Sequence, residues 1–302
     1  MKVLIVKLGA LGDVVRTTAL LPAIKGDAHW LTSPSSYELL CLNPYLKCVY
    51  RFGDDYDHQR LLGQYFDLVI SLDEELPVLQ LVQKVKRHSL VGVYVDEITN
   101  EVKYTDHGKG WFDMSLISRH GKEKADELKK QNNRTFQEYL YEMFSLPFTD
   151  QEYQLGVNLS RETKYAVGVE RWAGGERWPT KRWSGYDQLY DKLKERGIPV
   201  VVFTKRAGLL EYLSDINDSR VIVCGDTLAM HLALALQKKV VAIFGPTSPM
   251  EIHDYGRMVK LYDKEAPCFC SYKPNCYHQP QCIDRVLVDT VYEHTLKMLE
   301  RL

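Results

Sequence analysis

At 302 residues the chain is longer than one hydrophobic core usually organises, so about two domains are expected. Its 39 Lys plus Arg balance 40 Asp plus Glu, which removes any electrostatic reason to expect nucleic acid as the main partner. No uninterrupted apolar run approaches the roughly 18 residues of a membrane-spanning helix, and an odd seven cysteines in a chain of this size point to a reducing compartment rather than a disulfide scaffold.

The chain opens with Lys2-Val3-Leu4-Ile5-Val6, a strand-like run where a secretory leader would carry a charged stretch and a long apolar core. A cytoplasmic protein is expected. Val14 to Ile24 reads as the next helix, Phe66 to Ser71 as a strand and Val78 to Val85 as a helix. After the β-run Val91 to Val95 the pattern turns polar. Glu123 to Met143 then reads as one helix carrying Leu128, Phe136, Tyr139 and Leu140, closed by Pro147.

Alternation restarts at Ala166 to Val169. It continues through a helix near Tyr186 to Arg196, strands at Val200 to Phe203 and Val221 to Val223, a helix from Leu228 and a strand at Val240 to Phe244. Strand–helix alternation of this kind predicts a largely parallel sheet covered by helices, and here it occurs twice. Polar, aperiodic sequence at 150 to 163 separates the halves, giving domains at 1–157 and 158–302. The last helix, Val288 to Leu302, is a candidate to pack back across that boundary. Two Rossmann-like domains facing a central cleft are the expected architecture.

Four segments could carry chemistry. Lys7-Leu8-Gly9-Ala10-Leu11-Gly12-Asp13 joins the first strand to the first helix, and Gly9 and Gly12 would let backbone approach a ligand. The glycine spacing is too short for a dinucleotide fingerprint, and a carboxylate would repel a pyrophosphate. Asp13 suits a general base that takes a proton from a neutral hydroxyl, or else a helix cap.

Gly225-Asp226-Thr227-Leu228-Ala229-Met230-His231 places Asp226 and Thr227 at a helix start, where N–H groups and a hydroxyl can hold a diphosphate, with His231 one turn on. An ordinary Asp or Thr cap with a packed histidine is the plainer alternative. The turn Gly245-Pro246-Thr247 ends the following strand and would wall the same pocket. Between Arg171 and Trp183, Arg177, Lys181 and Arg182 could pair with phosphate oxygens or form a solvated basic turn. Trp178 and Trp183 read as packing residues, and Pro179 as the opening of a helical turn.

Cys268, Cys270, Cys276 and Cys282 form a cluster able to hold structural zinc or an iron–sulfur centre, or to remain free thiols in a surface loop. The other three, Cys41, Cys48 and Cys224, read as small core residues. The segment Arg119 to Arg134, with His120, Lys122, Lys124, Lys129 and Lys130, could meet an anionic membrane face or a phosphorylated glycolipid. The interspersed Glu123, Asp126 and Glu127 suit a solvated helix face instead.

Taken together, Lys7 to Asp13, Arg177-Trp178-Pro179 through Trp183, Asp226-Thr227 with His231, and Phe244-Gly245-Pro246-Thr247 resemble glycosyltransferase family 9, which includes the ADP-heptose:lipopolysaccharide heptosyltransferases. The resemblance implies an α/β GT-B fold, with an N-terminal domain for the acceptor and a C-terminal domain for the nucleotide-sugar. It makes Asp13 the catalytic base and Asp226, Thr227 and His231 the donor-phosphate site, with Leu228 standing where many members have glycine. Glu176 replaces a lysine of some heptosyltransferases, moving the cationic role to Arg177 or Lys181.

The stretch between Phe203 and Arg220 is shorter than the family pattern implies. The function so implied is inverting transfer of a heptose-like sugar from a nucleotide-diphosphate sugar to lipopolysaccharide or another cell-surface glycan. It needs no catalytic cofactor. The alternatives are a nucleotide-sugar-binding protein that has lost transfer, or a nucleotide-sugar epimerase or hydrolase.

Overall fold

In the computed structural model, residues 1–115, 120–157, 159, 162–172 and 178–300 are described. The chain divides into two units, Met1–Val157 and Asn158–Leu302, each with its own sheet and core.

In the first unit β1 (Lys2–Val6) buries Val3, Leu4, Ile5 and Val6 completely. A continuous apolar run of this kind marks a strand covered on both faces. There follow α1 (Leu11–Thr17), β2 (Asp27–Thr32), α2 (Tyr37–Leu40), β3 (Leu46–Arg51), α3 (Asp55–Leu62), β4 (Tyr65–Ser71), α4 (Leu76–Lys84), β5 (Lys86–Val95), β6 (Val102–Tyr104), α5 (Lys109–Phe112), α6 (Lys122–Gln131) and α7 (Phe136–Glu142). The sheet order is β3-β2-β1-β4-β5-β6, parallel except for the antiparallel pairing of β6 with β5. Its core gathers Leu4, Val6, Leu31, Phe66, Val69, Val78 and Val82.

The second unit runs β7 (Tyr165–Val169), α8 (Tyr186–Glu195), β8 (Val200–Val202), α9 (Leu209–Asn217), β9 (Ser219–Gly225), α10 (Leu228–Ala235), β10 (Lys239–Ile243), β11 (Met258–Leu261) and α11 (Val288–Glu300). Its parallel order is β11-β10-β9-β7-β8, so α9 alone links β8 to β9. Numbered within the unit this is the 2-1-3-4-5 order, and the first unit carries 3-2-1-4-5. Both are doubly wound, and each has one switch point where loops leave neighbouring strands in opposite directions. These lie between β1 and β4 and between β7 and β9. The last helix, α11, packs on α8, β9 and β10 of its own unit.

Three local expectations are corrected. The first helix stops at Thr17 and continues as a tighter 3₁₀ turn, Thr18–Ala23, because Pro22 has no N–H to donate. The hydroxyls of Thr17 and Thr18 also bond back to the carbonyls of Asp13 and Val15. The single helix expected at 123 to 143 is two helices, since Thr135 and Glu138 form a reciprocal capping box that starts α7 afresh. Of the three cysteines read as core, Cys224 is buried, but Cys41 is exposed and Cys48 half-buried at the sheet's edge strand β3. Among the described residues no helix is long and apolar enough to cross a membrane.

Candidate active-site residues

In the first unit the loop after β1 is pinned from three sides. The Trp30 indole N–H donates to the Lys7 carbonyl at 2.9 Å, and the Ser36 hydroxyl to the Leu8 carbonyl at 3.1 Å. Asp73, just past the end of β4, accepts from Lys7 Nζ at 2.6 Å and from the Leu8 N–H. Burial pushes the Asp73 carboxyl up from its ordinary range; Lys7 and the Leu8 N–H pull the other way, and nearby Asp13 adds to the rise. A Cβ built on Gly9 would meet nothing within 4 Å among the described residues, so packing does not require glycine there.

Asp13 is the third residue of α1, and the N-cap is Ala10, which has no side chain to cap with. Asp13 is therefore not the N-cap residue of α1 but an acid in its first turn. Asp13 Oδ1 lies 2.9 Å from Arg16 Nη2, one turn along, and the Asp13 side chain keeps 35% of its surface in solvent. The Arg16 guanidinium is itself buried, 4.1 Å from the Phe136 ring centroid and 5.0 Å from that of Trp111. An arginine packed against two aromatic rings has little freedom, so it holds the carboxylate in one orientation.

In the second unit Lys181, Asp226 and Thr247 meet at the carboxyl ends of the strands. Lys181 Nζ donates to Asp226 Oδ2 at 2.7 Å, and each side chain is 17% exposed. Burial alone would raise the Asp226 carboxyl, yet Lys181, with His231 and the nearby Thr247 hydroxyl, brings it down to about 2. It is therefore ionised at neutral pH. Thr227 is the N-cap of α10, but its hydroxyl makes no cap bond, and Oγ1 is buried with no hydrogen-bond partner among the described residues. His231 is buried one turn further in, close enough to act on Asp226, and Leu228 opens the helix half-exposed. Gly245 is needed for close packing: a Cβ there would fall 2.8 Å from the Ile283 Cβ. The structure thus brings together Lys181, Asp226, Thr227, Leu228, His231, Gly245, Pro246 and Thr247.

Arg177 and Glu176 lie outside the described residues. Trp183 is a packing residue, as read: it is buried, and its Nε1 donates to the Val286 carbonyl at 2.8 Å. Pro179 opens a 3₁₀ turn, Pro179–Lys181. In the basic stretch, Lys122 pairs with Asp126 and Lys124 with Glu127, and Lys129 is buried. That is the pattern of a solvated helix with internal ion pairs. Arg119 falls outside the described residues.

Two site-edge groups were not singled out by sequence. One is Asp73, and the other is Glu170, which follows β7 at the second switch point. Glu170 accepts from the Trp172 N–H at 2.6 Å and from the Tyr212 hydroxyl, and burial raises its carboxyl. Both are acids one or two residues beyond a strand's carboxyl end, which is the local signal available.

In the cysteine-rich loop Sγ of Cys276 lies 3.3 Å from Sγ of Cys268 and 3.6 Å from Sγ of Cys282. The ligand atoms of Cys268, His278 and Cys282 all fall within 4.8 Å of one another. Cys270, expected in the cluster, is buried beside Tyr272 and is replaced there by His278. Residues 268–270 form a turn in which Cys270 takes a left-handed φ of 52° and has its side chain buried.

A family model described as glycosyltransferase family 9 (heptosyltransferase) matches residues 206–281, a span holding Asp226, Thr227, His231 and Thr247. Lipopolysaccharide heptosyltransferase 1 of Pseudomonas aeruginosa is 25% identical over 343 residues, covering 98% of this chain and 93% of the relative. Among solved structures, E. coli heptosyltransferase WaaC with ADP-2-deoxy-2-fluoro heptose superposes with a TM-score of 0.62 at 15% identity, covering 98% of this chain and 99% of the other. For E. coli ADP-heptose lps heptosyltransferase II the values are 0.69 and 16%, with 99% and 98% covered. The α/β GT-B architecture expected from sequence is the one observed.

Proposed function

We propose that the chain is a heptosyltransferase-like glycosyltransferase of family 9 that moves a heptose-like sugar, with inversion, from a nucleotide-diphosphate sugar to lipopolysaccharide or another cell-surface glycan. The observation that carries the donor half is the start of α10. Its first N–H groups have no side-chain cap, and the buried Thr227 hydroxyl stands beside them without a partner. A helix N-terminus with an unspent hydroxyl and a lysine nearby is built to receive a diphosphate. Asp226 does not touch the anion in this reading; its carboxylate fixes Lys181, whose charge faces the departing phosphate. The relatives named for ADP-heptose make an ADP-linked sugar the first donor to test.

The acceptor half is Asp13. As the sugar's anomeric carbon loses its diphosphate through an oxocarbenium-like transition state, the acceptor oxygen bonds to it from the opposite face and passes its proton to the Asp13 carboxylate. The displaced diphosphate takes the bonding electrons. General-base assistance supplies roughly 10²–10⁴-fold, and orientation together with stabilisation of the diphosphate charge supplies most of the rest. No metal takes part in this step. The protein is expected at the cytoplasmic face of the membrane, where such an acceptor presents itself.

The test is nucleoside diphosphate release from ADP-, UDP-, GDP- and CDP-sugars, with and without glycolipid extract, in wild type and Asp13→Asn. Release that needs extract and drops at least about a hundredfold in Asp13→Asn, with donor binding intact, supports the reading. Equal turnover in the two overturns the role of Asp13. Binding without turnover in either makes the chain a nucleotide-sugar-binding protein, and release without extract makes it a hydrolase or epimerase.

A further inference from the structure

Thr247 lies beside Asp226 with two donors unspent. Its Oγ1 is buried without a hydrogen-bond partner among the described residues, and no described group accepts from its N–H. It sits in a turn after β10, outside any helix or strand, so no ladder holds its backbone. What holds it is Tyr272, from the loop that follows β11.

The Tyr272 N–H donates to the Pro246 carbonyl at 2.9 Å, and the Tyr272 hydroxyl receives the Ser248 N–H at 3.0 Å. Each group belongs to a planar peptide that adjoins Thr247. The Pro246 C=O shares one plane with the Thr247 N–H, and the Ser248 N–H shares the next with the Thr247 C=O. One residue therefore fixes both planes, and with them the φ and ψ of Thr247. In a trans peptide the N–H points opposite to the C=O, so the Thr247 N–H is turned away from Tyr272.

The clamp is itself anchored. The Tyr272 hydroxyl donates to Glu251 Oε1 at 2.6 Å. Burial, with Glu251 adding to it, pushes the phenol well up, so the proton that makes this bond stays in place. Tyr272 takes a left-handed φ of 49°, a conformation that is costly for an aromatic residue and persists where the surroundings impose it. The next residue reaches the other arm of the site: the Lys273 carbonyl accepts from the Thr180 hydroxyl at 3.0 Å, one residue before Lys181. Thr247 and Lys181, which act on the same carboxylate, are thus both fastened to the dipeptide Tyr272-Lys273.

We propose that Tyr272 is a positioning residue of the donor site: by fixing both peptides around Thr247 it presents the Thr247 N–H and hydroxyl to the terminal phosphate of the departing diphosphate, at the end where Lys181 stands. Tyr272 does not touch the donor; it acts through Thr247. The role rests on the donor reading given above, and that reading stands without it.

The full-length protein is compared with Tyr272→Phe, which keeps the buried ring and removes only the hydroxyl. Calorimetry follows ADP and AMP, which differ by the terminal phosphate; where the donor screen selects another base, its di- and monophosphate are the probes. Tyr272→Phe is expected to lose about tenfold in ADP affinity, with AMP affinity within about twofold of wild type. Amide hydrogen exchange at Ser248 is expected to quicken in the same variant, because its N–H has lost its acceptor. Glu251→Ala loosens the clamp from the far side and is expected to lower ADP affinity in the same selective way. Glu251→Gln, whose amide oxygen still accepts from the phenol, is expected to restore most of it. Thr247→Val is expected to weaken ADP binding as well, and its double variant with Tyr272→Phe to lose less than the sum of the two.

Equal ADP affinity in wild type and Tyr272→Phe overturns the proposal. A loss shared by ADP and AMP does the same, since it makes Tyr272 an ordinary core residue, and a double variant that loses the full sum overturns action through Thr247. Wild type that binds none of ADP, UDP, GDP and CDP counts against the donor reading and takes the role of Tyr272 with it.

Discussion

Lys181 Nζ and Asp226 Oδ2 are 2.7 Å apart although 45 residues separate them, and both side chains are largely withdrawn from water. Burying either charge alone is costly, so each residue is the other's condition for being there. The pair belongs to the second unit's strand ends, and in the proposed reading it fixes the lysine where a diphosphate would leave. Its cost is offset by His231 and the Thr247 hydroxyl, which also favour the charged carboxylate.

The pH dependence of stability follows in sign from that pair. Asp226 falls from an ordinary 3.8 to about 2 on folding, so the unfolded chain binds the proton more readily. The resulting stabilisation, on the order of 2 kcal/mol, is complete above about pH 4 and is lost as pH falls toward 2. In urea unfolding, the stability gap between wild type and a Lys181→Met, Asp226→Asn double variant is expected to shrink by roughly two thirds of that amount between pH 5 and pH 2.5. A gap that does not change with pH would falsify the assignment. Lys181→Met alone is expected to cost more than the double variant, because it leaves the carboxylate buried and unpaired.

Arg16→Lys separates positioning from charge. The lysine keeps the positive charge but loses the flat contact with Phe136 and Trp111 that holds the guanidinium against Asp13. Contacts of that kind contribute about 0.5–2 kcal/mol, so kcat is expected to fall about tenfold. Nucleoside diphosphate affinity should stay at the wild-type value. A loss seen in affinity rather than in kcat would place Arg16 outside the acceptor machinery.

What could be read from sequence, and what could not, follows from distance along the chain. Asp13, Asp226 and Thr227 were visible because each lies in one short segment that ends a strand and begins a helix. Asp73 and Glu170 were not, since their meaning depends on Lys7 and Tyr212, 66 and 42 residues away. Only the sheet order, with β1 beside β4, brings Asp73 to the Lys7 loop. In the cysteine loop, counting thiols selected Cys270, whereas the fold turned it inward and brought up His278. Apolar periodicity carried one helix straight through 123 to 143, because Leu128, Phe136 and Leu140 keep a helical spacing across a break that is written in polar residues.

That break can be tested directly. Thr135 and Glu138 cap α7 reciprocally, and α7 carries Phe136 beneath Arg16. Thr135→Ala is expected to lower stability by about 1 kcal/mol, and Thr135→Ser to recover most of it. If the segment were one continuous helix, alanine at this position would stabilise it, so the sign of the change in a denaturant titration decides.

Asp73 supplies the opposite pH signature from Asp226. Its carboxyl is raised on folding, chiefly by burial, with Asp13 adding to the rise and Lys7 and the Leu8 N–H opposing it. Between its ordinary value near 3.8 and the raised one, the folded chain holds the extra proton, so this term loses stability as pH climbs through that window. Asp73→Asn has no such term. It also cannot accept from both Lys7 and Leu8 as two carboxylate oxygens do, which costs about 1–3 kcal/mol. The variant's deficit in unfolding free energy should therefore be largest near pH 3.5 and shrink toward neutrality. Because the Lys7-Leu8 loop leads into α1, loosening it displaces Asp13, and kcat should drop while donor affinity holds. A deficit that grows with pH would mean that Lys7 outweighs burial and that Asp73 is an ordinary stabilised carboxylate.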